Sequence, residues 1–310
     1  MARVLVTGGA GFIGSVCVKT LLDEGFDVVV ADNLSKGRKE LVDSRASFYE
    51  VDLACGDLDP LFSEPVDSVI HFAAYKAVEE SLEDVPKYSD NIAGTIRLLN
   101  AMVRYGVKRV VFSSTAAVYG NPRYVPVDEE HPVGPESFYG ETKYVVERML
   151  RWYERVHGVR YVVLRYFNVV GDVLGYQDPE AKNVLPILME VLNGKRDVFT
   201  LFGDSYDTRD GTCVRDYIDV KDLVRAHLSA LSLDSSAIIN LGTSEGVTVK
   251  ELVKVVEDVT GKEVPVAIAG PRKGDPASVV ASNEKAEELL GWSPQVSLEE
   301  SVRSTYDAYR

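Results

Sequence analysis

The chain has 310 residues, 45% of them apolar, and carries 34 Lys and Arg against 48 Asp and Glu for a formal net charge of −14. That apolar share supports a sizeable core and excludes a disordered chain, while the acidic balance argues against a nucleic-acid partner, whose footprint is basic. No apolar run approaches the ~20 residues that span a bilayer. No secretory leader is expected ahead of Arg3–Thr7, and Cys17, Cys55 and Cys213 offer neither a disulfide framework nor metal-ligand spacing, so a cytoplasmic protein without a metal centre is expected.

In chain order, Arg3–Thr7, Asp27–Ala31, Ser47–Val51, Ser68–His71, Arg109–Ser113 and Tyr161–Arg165 read as strands. Their near-continuous apolar runs suit a parallel sheet buried on both faces. Phe12–Glu24, Pro86–Tyr105 and Phe138–His157 are long enough for helices, with Gly25, Gly106 and Gly158 placed as left-handed C-terminal stops. The alternation predicts an α/β protein with a doubly wound parallel sheet over residues 1–170, completed by a returning segment near 216–242. After Asn168 the rhythm breaks into short segments such as Gly171–Pro179, Gly203–Thr212 and Gly270–Ala277. Helical patterns return at Val184–Asn193, Val220–Leu231, Val249–Thr260, Asn283–Leu290 and Leu298–Tyr309, so residues 171–310 are expected to form a smaller, irregular α/β domain.

Gly8, Gly11 and Gly14 have G-x-x-G-x-x-G spacing between the first strand and first helix, and Asp32 ends the second strand 18 residues later. The chemistry behind such spacing is a tight turn, close backbone approach to a pyrophosphate, and helix N–H groups facing the phosphates. A carboxylate at Asp32 accepts from ribose hydroxyls and repels a 2′-phosphate, which favours NAD over NADP. A turn-initiating Asp before Asn33 is the plainer alternative, and Lys36 and Arg38 read as solvated loop charges.

Tyr139 and Lys143 stand at i and i+4 of a helix. A phenol near its usual ~10 is a poor base at neutral pH, and a neighbouring ammonium and a nicotinamidium ring are both expected to lower it. Thr115, at the carboxyl end of the fifth strand, adds a hydroxyl where open α/β sheets bind ligands. His71 ends a buried strand and reads as structural; His131, His157 and His227 are scattered.

This set resembles the extended short-chain dehydrogenase/reductase superfamily, and further motifs resemble its UDP-glucose 4-epimerases. They are Val69–Ser81, Phe112–Gly120, Leu164–Asn168, Lys182–Pro186, Asp210–Ile218 and Pro271–Asp275, which includes Lys273. The resemblance implies NAD held by Gly8, Gly11, Phe12, Ile13, Gly14, Asp32 and Asn33, with Asp52 and Leu53 near adenine. It further places Phe72, Ala73, Lys76, Asn91, Ser113 and Phe167 along the cofactor. Thr115 and Tyr139 are implied at the sugar C4 oxygen, with Lys143 between Tyr139 and the nicotinamide ribose. Asn168 and Asn183 are implied on sugar or diphosphate, Phe202 near uracil, Arg215 and Arg272 on the diphosphate, and Asp275 on the uridine ribose. Taken singly, Lys76 and Arg272 read as surface charges, Asn91 as a local hydrogen-bonding group and Phe202 as core.

The family's dehydrating members carry Asp-Glu, and its decarboxylating members a Glu, just after the active-site Thr. Here Ala116 and Ala117 stand there. The expected activity is therefore reversible inversion at C4 of a UDP-hexose through a transient 4-keto intermediate, with Tyr139 as acid and base and a homodimer as the family's assembly. A UDP-glucuronate 4-epimerase or decarboxylase is the nearest alternative; a catalytically silent NAD-sensing protein is the alternative from another class. Val279, four after Asp275, replaces a tyrosine of some family members, so the N-acetylhexosamine pair is expected to fit as well.

Overall fold

The computed structural model describes residues 1–178, 181–272 and 274–310. Pro179, at the end of the Gly171–Pro179 segment, and Lys273, of the Pro271–Asp275 motif, lie outside the described residues.

The chain begins with β1 (Arg3–Thr7), α1 (Phe12–Asp23), β2 (Asp27–Asp32), β3 (Ser47–Glu50) and β4 (Ser68–His71). It continues through α2 (Val78–Ser81), α3 (Val85–Tyr105), β5 (Arg109–Thr115), α4 (Phe138–His157) and β6 (Arg160–Tyr166). Then come β7 (Asn168–Val170), α5 (Val184–Leu192), β8 (Phe199–Phe202), β9 (Val214–Asp219), α6 (Val220–Leu231) and β10 (Ala237–Leu241). The last elements are β11 (Gly246–Thr248), α7 (Val249–Thr260), β12 (Val266–Ala269), β13 (Ser278–Val279), α8 (Glu284–Leu290) and α9 (Leu298–Tyr309). No helix among the described residues is long and apolar enough to cross a membrane.

The chain divides into two compact units. The first holds residues Met1–Gly120, Val133–Arg165 and Val224–Ile239. Its seven-stranded sheet has the order β10-β6-β5-β4-β1-β2-β3, with β1 parallel to both β2 and β4. Strand order reverses at β1, and the loops after β1 and β4 leave the sheet at this switch point, where doubly wound sheets bind ligands. Val4, Leu5, Val6, Val69 and Ile70 are fully buried, as apolar strands covered on both faces should be. α4 starts on a Ser137 cap that accepts from the Gly140 N–H and stops at Gly158 with φ +68°. Its buried face carries Gly140, Lys143, Val146, Glu147 and Leu150, so two ionisable groups share the stripe that packs inward.

The second unit holds Asn121–Pro132, Tyr166–Leu223 and Asn240–Arg310. β9 pairs with β7 and β13 in parallel and with β11 in antiparallel, and β8 pairs with β12. Leu185, Leu188, Leu252, Val256 and Val302 form its core, and α7 and α9 each open with a capping box. The sequence pattern did not reveal these strands. β11 and β13 are three and two residues long, and β9 buries a charge, Asp216. That carboxylate accepts from the N–H and hydroxyl of Thr243 at 2.7 and 2.8 Å and from the N–H groups of Ser244 and Ala281 at 3.1 Å. Its partners are remote in sequence, so tertiary contacts make a polar segment a buried strand.

Candidate functional site

The loop after β1 is shaped by backbone contact. Gly8 has φ +72°, and a β-carbon there would lie 2.6 Å from the Ala73 nitrogen. Gly11 donates its N–H to the Gly8 carbonyl at 3.1 Å and is the N-cap of α1; a β-carbon there would lie 3.3 Å from that same oxygen. That helix opens through Phe12 and Ile13 with no side-chain cap and no acidic residue in its first turn. Such a helix start presents amide dipoles to an anion, so the cradle fits a pyrophosphate.

Asp32 is 7% exposed and accepts from Ala10 N–H at 3.0 Å and Leu34 N–H at 2.9 Å. Burial pushes its carboxyl up, and the two N–H groups oppose that. The Leu34 bond is the turn-initiating contact of the plainer alternative. Each oxygen keeps further acceptor capacity, which suits a ribose diol. Asn33 donates to Asp52 at 2.8 Å, and Asp52 accepts from Ala54 N–H at 2.7 Å, ahead of buried Leu53. After β4, Phe72 packs on His227 with centroids 4.8 Å apart, and Lys76 is exposed. Asn91 accepts from Tyr75 N–H at 2.8 Å and donates to Tyr75 O at 3.0 Å and Thr142 Oγ1 at 3.3 Å, so its amide shapes the loop locally. His71 is held between Thr7 and Thr95 at 2.6 and 2.8 Å, and burial, then the Lys143 charge, bring it down to about 3.

Along the end of β5 stand the candidate reactive side chains. A β-carbon on Gly140 would lie 2.6 Å from the Ala117 carbonyl oxygen, so only glycine lets α4 come this close to the segment after Thr115. The Thr115 hydroxyl accepts from Ala117 N–H at 3.1 Å and stands close enough to the Tyr139 phenol to act on its acidity. Burial pushes that phenol up to about 12, with the Thr115 hydroxyl pulling the other way. Lys143 is 3% exposed, donates to the Ser113 carbonyl at 2.8 Å, and is brought down to about 7 by burial against the raising charge of Glu147. Its Nζ lies 5.9 Å from the Tyr139 ring centre and 5.0 Å from that of Phe112.

In the second unit, Arg215 donates to the carbonyls of Val214 and Pro276 at 2.8 Å and pairs with Asp275. Arg272 lies 4.0 Å over the Phe202 ring, a cation–π contact that holds a guanidinium beside an aromatic face. Asn168 donates to the Asp216 carbonyl at 3.1 Å. Asn183 begins α5 without capping it, and Phe167 is buried, with its N–H on the Leu241 carbonyl at 3.2 Å.

Two features escaped sequence reasoning. The buried Glu147–Arg165 pair beneath Lys143 carries one sequence signal, the i+4 step from Lys143 to Glu147. Tyr206 packs against Gly203 beside Cys213 and Asp275, and its buried hydroxyl has no hydrogen-bond partner among the described residues. Beyond that step neither is visible from spacing, because each depends on partners far along the chain.

With this geometry in place, known proteins give a consistent comparison. A UDP-glucose 4-epimerase from Lacticaseibacillus casei is 44% identical over 302 residues, 94% of this chain and 91% of that protein. The solved UDP-glucose 4-epimerase from Brucella ovis in complex with NAD is 38% identical, with a TM-score of 0.96 over 100% of this chain and 98% of that one. The Stenotrophomonas maltophila UDP-glucose-4-epimerase with bound NAD and formylated UDP-arabinopyranose is 36% identical, with a TM-score of 0.95 over 100% and 98%. Residues 4–242 match the family described as NAD dependent epimerase/dehydratase, and the glycine cradle, Asp32 and the Thr115–Tyr139 contact all lie within them. The chain belongs to the NAD dependent epimerase/dehydratase family.

Proposed function

We propose that the chain catalyses NAD-dependent, reversible inversion at C4 of a UDP-hexose, interconverting UDP-galactose and UDP-glucose through a transient 4-keto sugar. The carrying observation is the gathering of the Thr115 hydroxyl, the Tyr139 phenol and buried Lys143, one helical turn on and bonded to the Ser113 carbonyl at 2.8 Å, with the Ala116–Ala117 pair beside them. In this proposal the first unit binds NAD and the second binds the nucleotide sugar. Gly8, Gly11 and Gly14 with the first turn of α1 hold the pyrophosphate and Asp32 the ribose; Arg215, Arg272, Phe202 and Asp275 hold UDP.

When bound, NAD supplies the hydride acceptor and donor. Tyr139 Oη moves the proton of the C4 carbinol oxygen, and Thr115 favours its ionised form by hydrogen bonding. The Lys143 ammonium favours the phenolate electrostatically, and its bond to the Ser113 carbonyl fixes where it stands. Ala116 and Ala117 carry no proton, so dehydration or decarboxylation has no acid–base partner in that segment. The exposed apolar residues Tyr105 on α3 and Trp152 and Val156 on α4 support a homodimer through these mutually packed helices. Three free thiols support a cytoplasmic setting.

Val279, half-buried in β13, supports a second substrate pair, UDP-GlcNAc and UDP-GalNAc, because a small side chain leaves room for an N-acetyl group. The test of the main proposal is purified protein incubated with UDP-galactose, without added cofactor, and followed by NMR. UDP-glucose is expected; a uronate-specific or absent conversion rejects it. Comparing kcat/KM on both sugar pairs tests the second substrate, and no turnover of the N-acetyl pair rejects it.

A further inference from the structure

Three consecutive residues of β5 latch onto α4. The Ser113 carbonyl accepts from Lys143 at 2.8 Å, the Ser114 hydroxyl donates to Glu147 at 2.5 Å, and the Thr115 hydroxyl meets the Tyr139 phenol. Their partners Tyr139, Lys143 and Glu147 follow at i, i+4 and i+8, one row along the helix. Glu147 is completely buried and takes a two-point contact from Arg165, Nε to Oε1 at 3.0 Å and Nη2 to Oε2 at 2.6 Å. Arg165 Nη1 donates to the Tyr119 hydroxyl at 2.8 Å. Burying such a pair carries a heavy solvation penalty on each ion, and well-packed apolar replacements are often as stable. Fold stability is thus a weak reason for two full charges under the reactive row.

We propose that Glu147, held in place by Arg165, is the positioning residue of the reaction: it ties the Thr115 end of β5 to the Tyr139–Lys143 helix and sets a negative charge one turn from the Lys143 ammonium. This rests on the proposed roles of Tyr139 and Lys143. Around Lys143, α4 supplies Tyr139 and Glu147, and β5 the Ser113 carbonyl and the Phe112 ring. β4 supplies His71, β6 places Arg165 behind Glu147, and α3 brings Asn91 to Thr142 and Tyr88 toward Tyr139. Burial drives Lys143 toward its neutral form, and Glu147 is the group that opposes it.

The test labels lysine with 13Cε and follows the Lys143 resonance, identified by its loss in Lys143→Met, against pH. In Glu147→Gln its midpoint is expected about one pH unit lower. The kcat for UDP-galactose is expected to fall ~5-fold at neutral pH and to recover at lower pH, with KM unchanged. Glu147→Asp, which keeps the charge, should stay near the wild-type midpoint. If Glu147→Gln does not fold because Arg165 is left unpaired, Glu147→Gln/Arg165→Met carries the same expectation. An unchanged midpoint, or failure of both variants to fold, overturns the proposal. A wild-type protein that titrates as expected but does not convert UDP-galactose strikes the proposed function instead, because the titration needs no turnover.

Discussion

Gly14 passes so close to Gly8 that a β-carbon on it would lie 2.0 Å from the Gly8 carbonyl oxygen. The oxygen is backbone, so a methyl group there has to push the loop off α1. Gly14→Ala is therefore expected to lower Tm and to strip bound NAD during gel filtration, read as lost 260 nm absorbance. Gly25, at φ +83° with nothing within 4 Å of its β-position, serves as control. Gly25→Ala should cost only ~1 kcal/mol of strain and keep the cofactor.

Tyr139→Phe removes the oxygen proposed to carry the proton while leaving the ring in place. The expected loss in kcat is at least ~10²-fold, with UDP affinity by calorimetry unchanged. Retained activity would show that another group moves the proton.

Thr115→Val keeps the shape and deletes the hydroxyl that helps the phenol ionise. Its kcat should fall ~10-fold or more, and Thr115→Ser should restore it. Equal activity of the Val and Ser variants would remove Thr115 from the proton path.

Arg215 is held in place by two carbonyls and Asp275, and in the proposed function it meets the diphosphate. Charge-assisted bonds of this kind are worth about 1.5–3 kcal/mol, so Arg215→Met should weaken UDP binding ~10- to 100-fold. Calorimetry with UDP alone checks this without turnover.

His71 has a value of about 3 in the folded chain, below the usual 6.5. The unfolded chain therefore binds more protons between those pH values, and stability falls as pH drops through that window. His71→Gln, able to bond Thr7 and Thr95 without charging, should lack that part of the acid decline in Tm. Lys143 has the same sign in another window: its value of about 7 lies below the usual 10.5. Its contribution should make the protein gain stability as pH rises from about 7 towards 10.5, and Lys143→Met should lose that gain. Identical pH–Tm curves for a variant and the wild type would contradict either assignment.

The sequence by itself determined most of the doubly wound sheet, because strands such as β1, β2 and β4 are local apolar runs and the long helices have local stops such as Gly106 and Gly158; β10 was legible only as a returning segment. It also located the glycine cradle, Asp32 and the Tyr139–Lys143 step, since these are features of spacing along one turn or one helix face. Only the tertiary structure decided the strands around Asp216, the pairing of Arg215 with Asp275 and the Glu147–Arg165 pair under Lys143. It also decided how far the reactive groups stand from their ordinary acidity. Burial moves Lys143 down to about 7 and Tyr139 up to about 12, and burial is created by residues that meet only when the chain has folded.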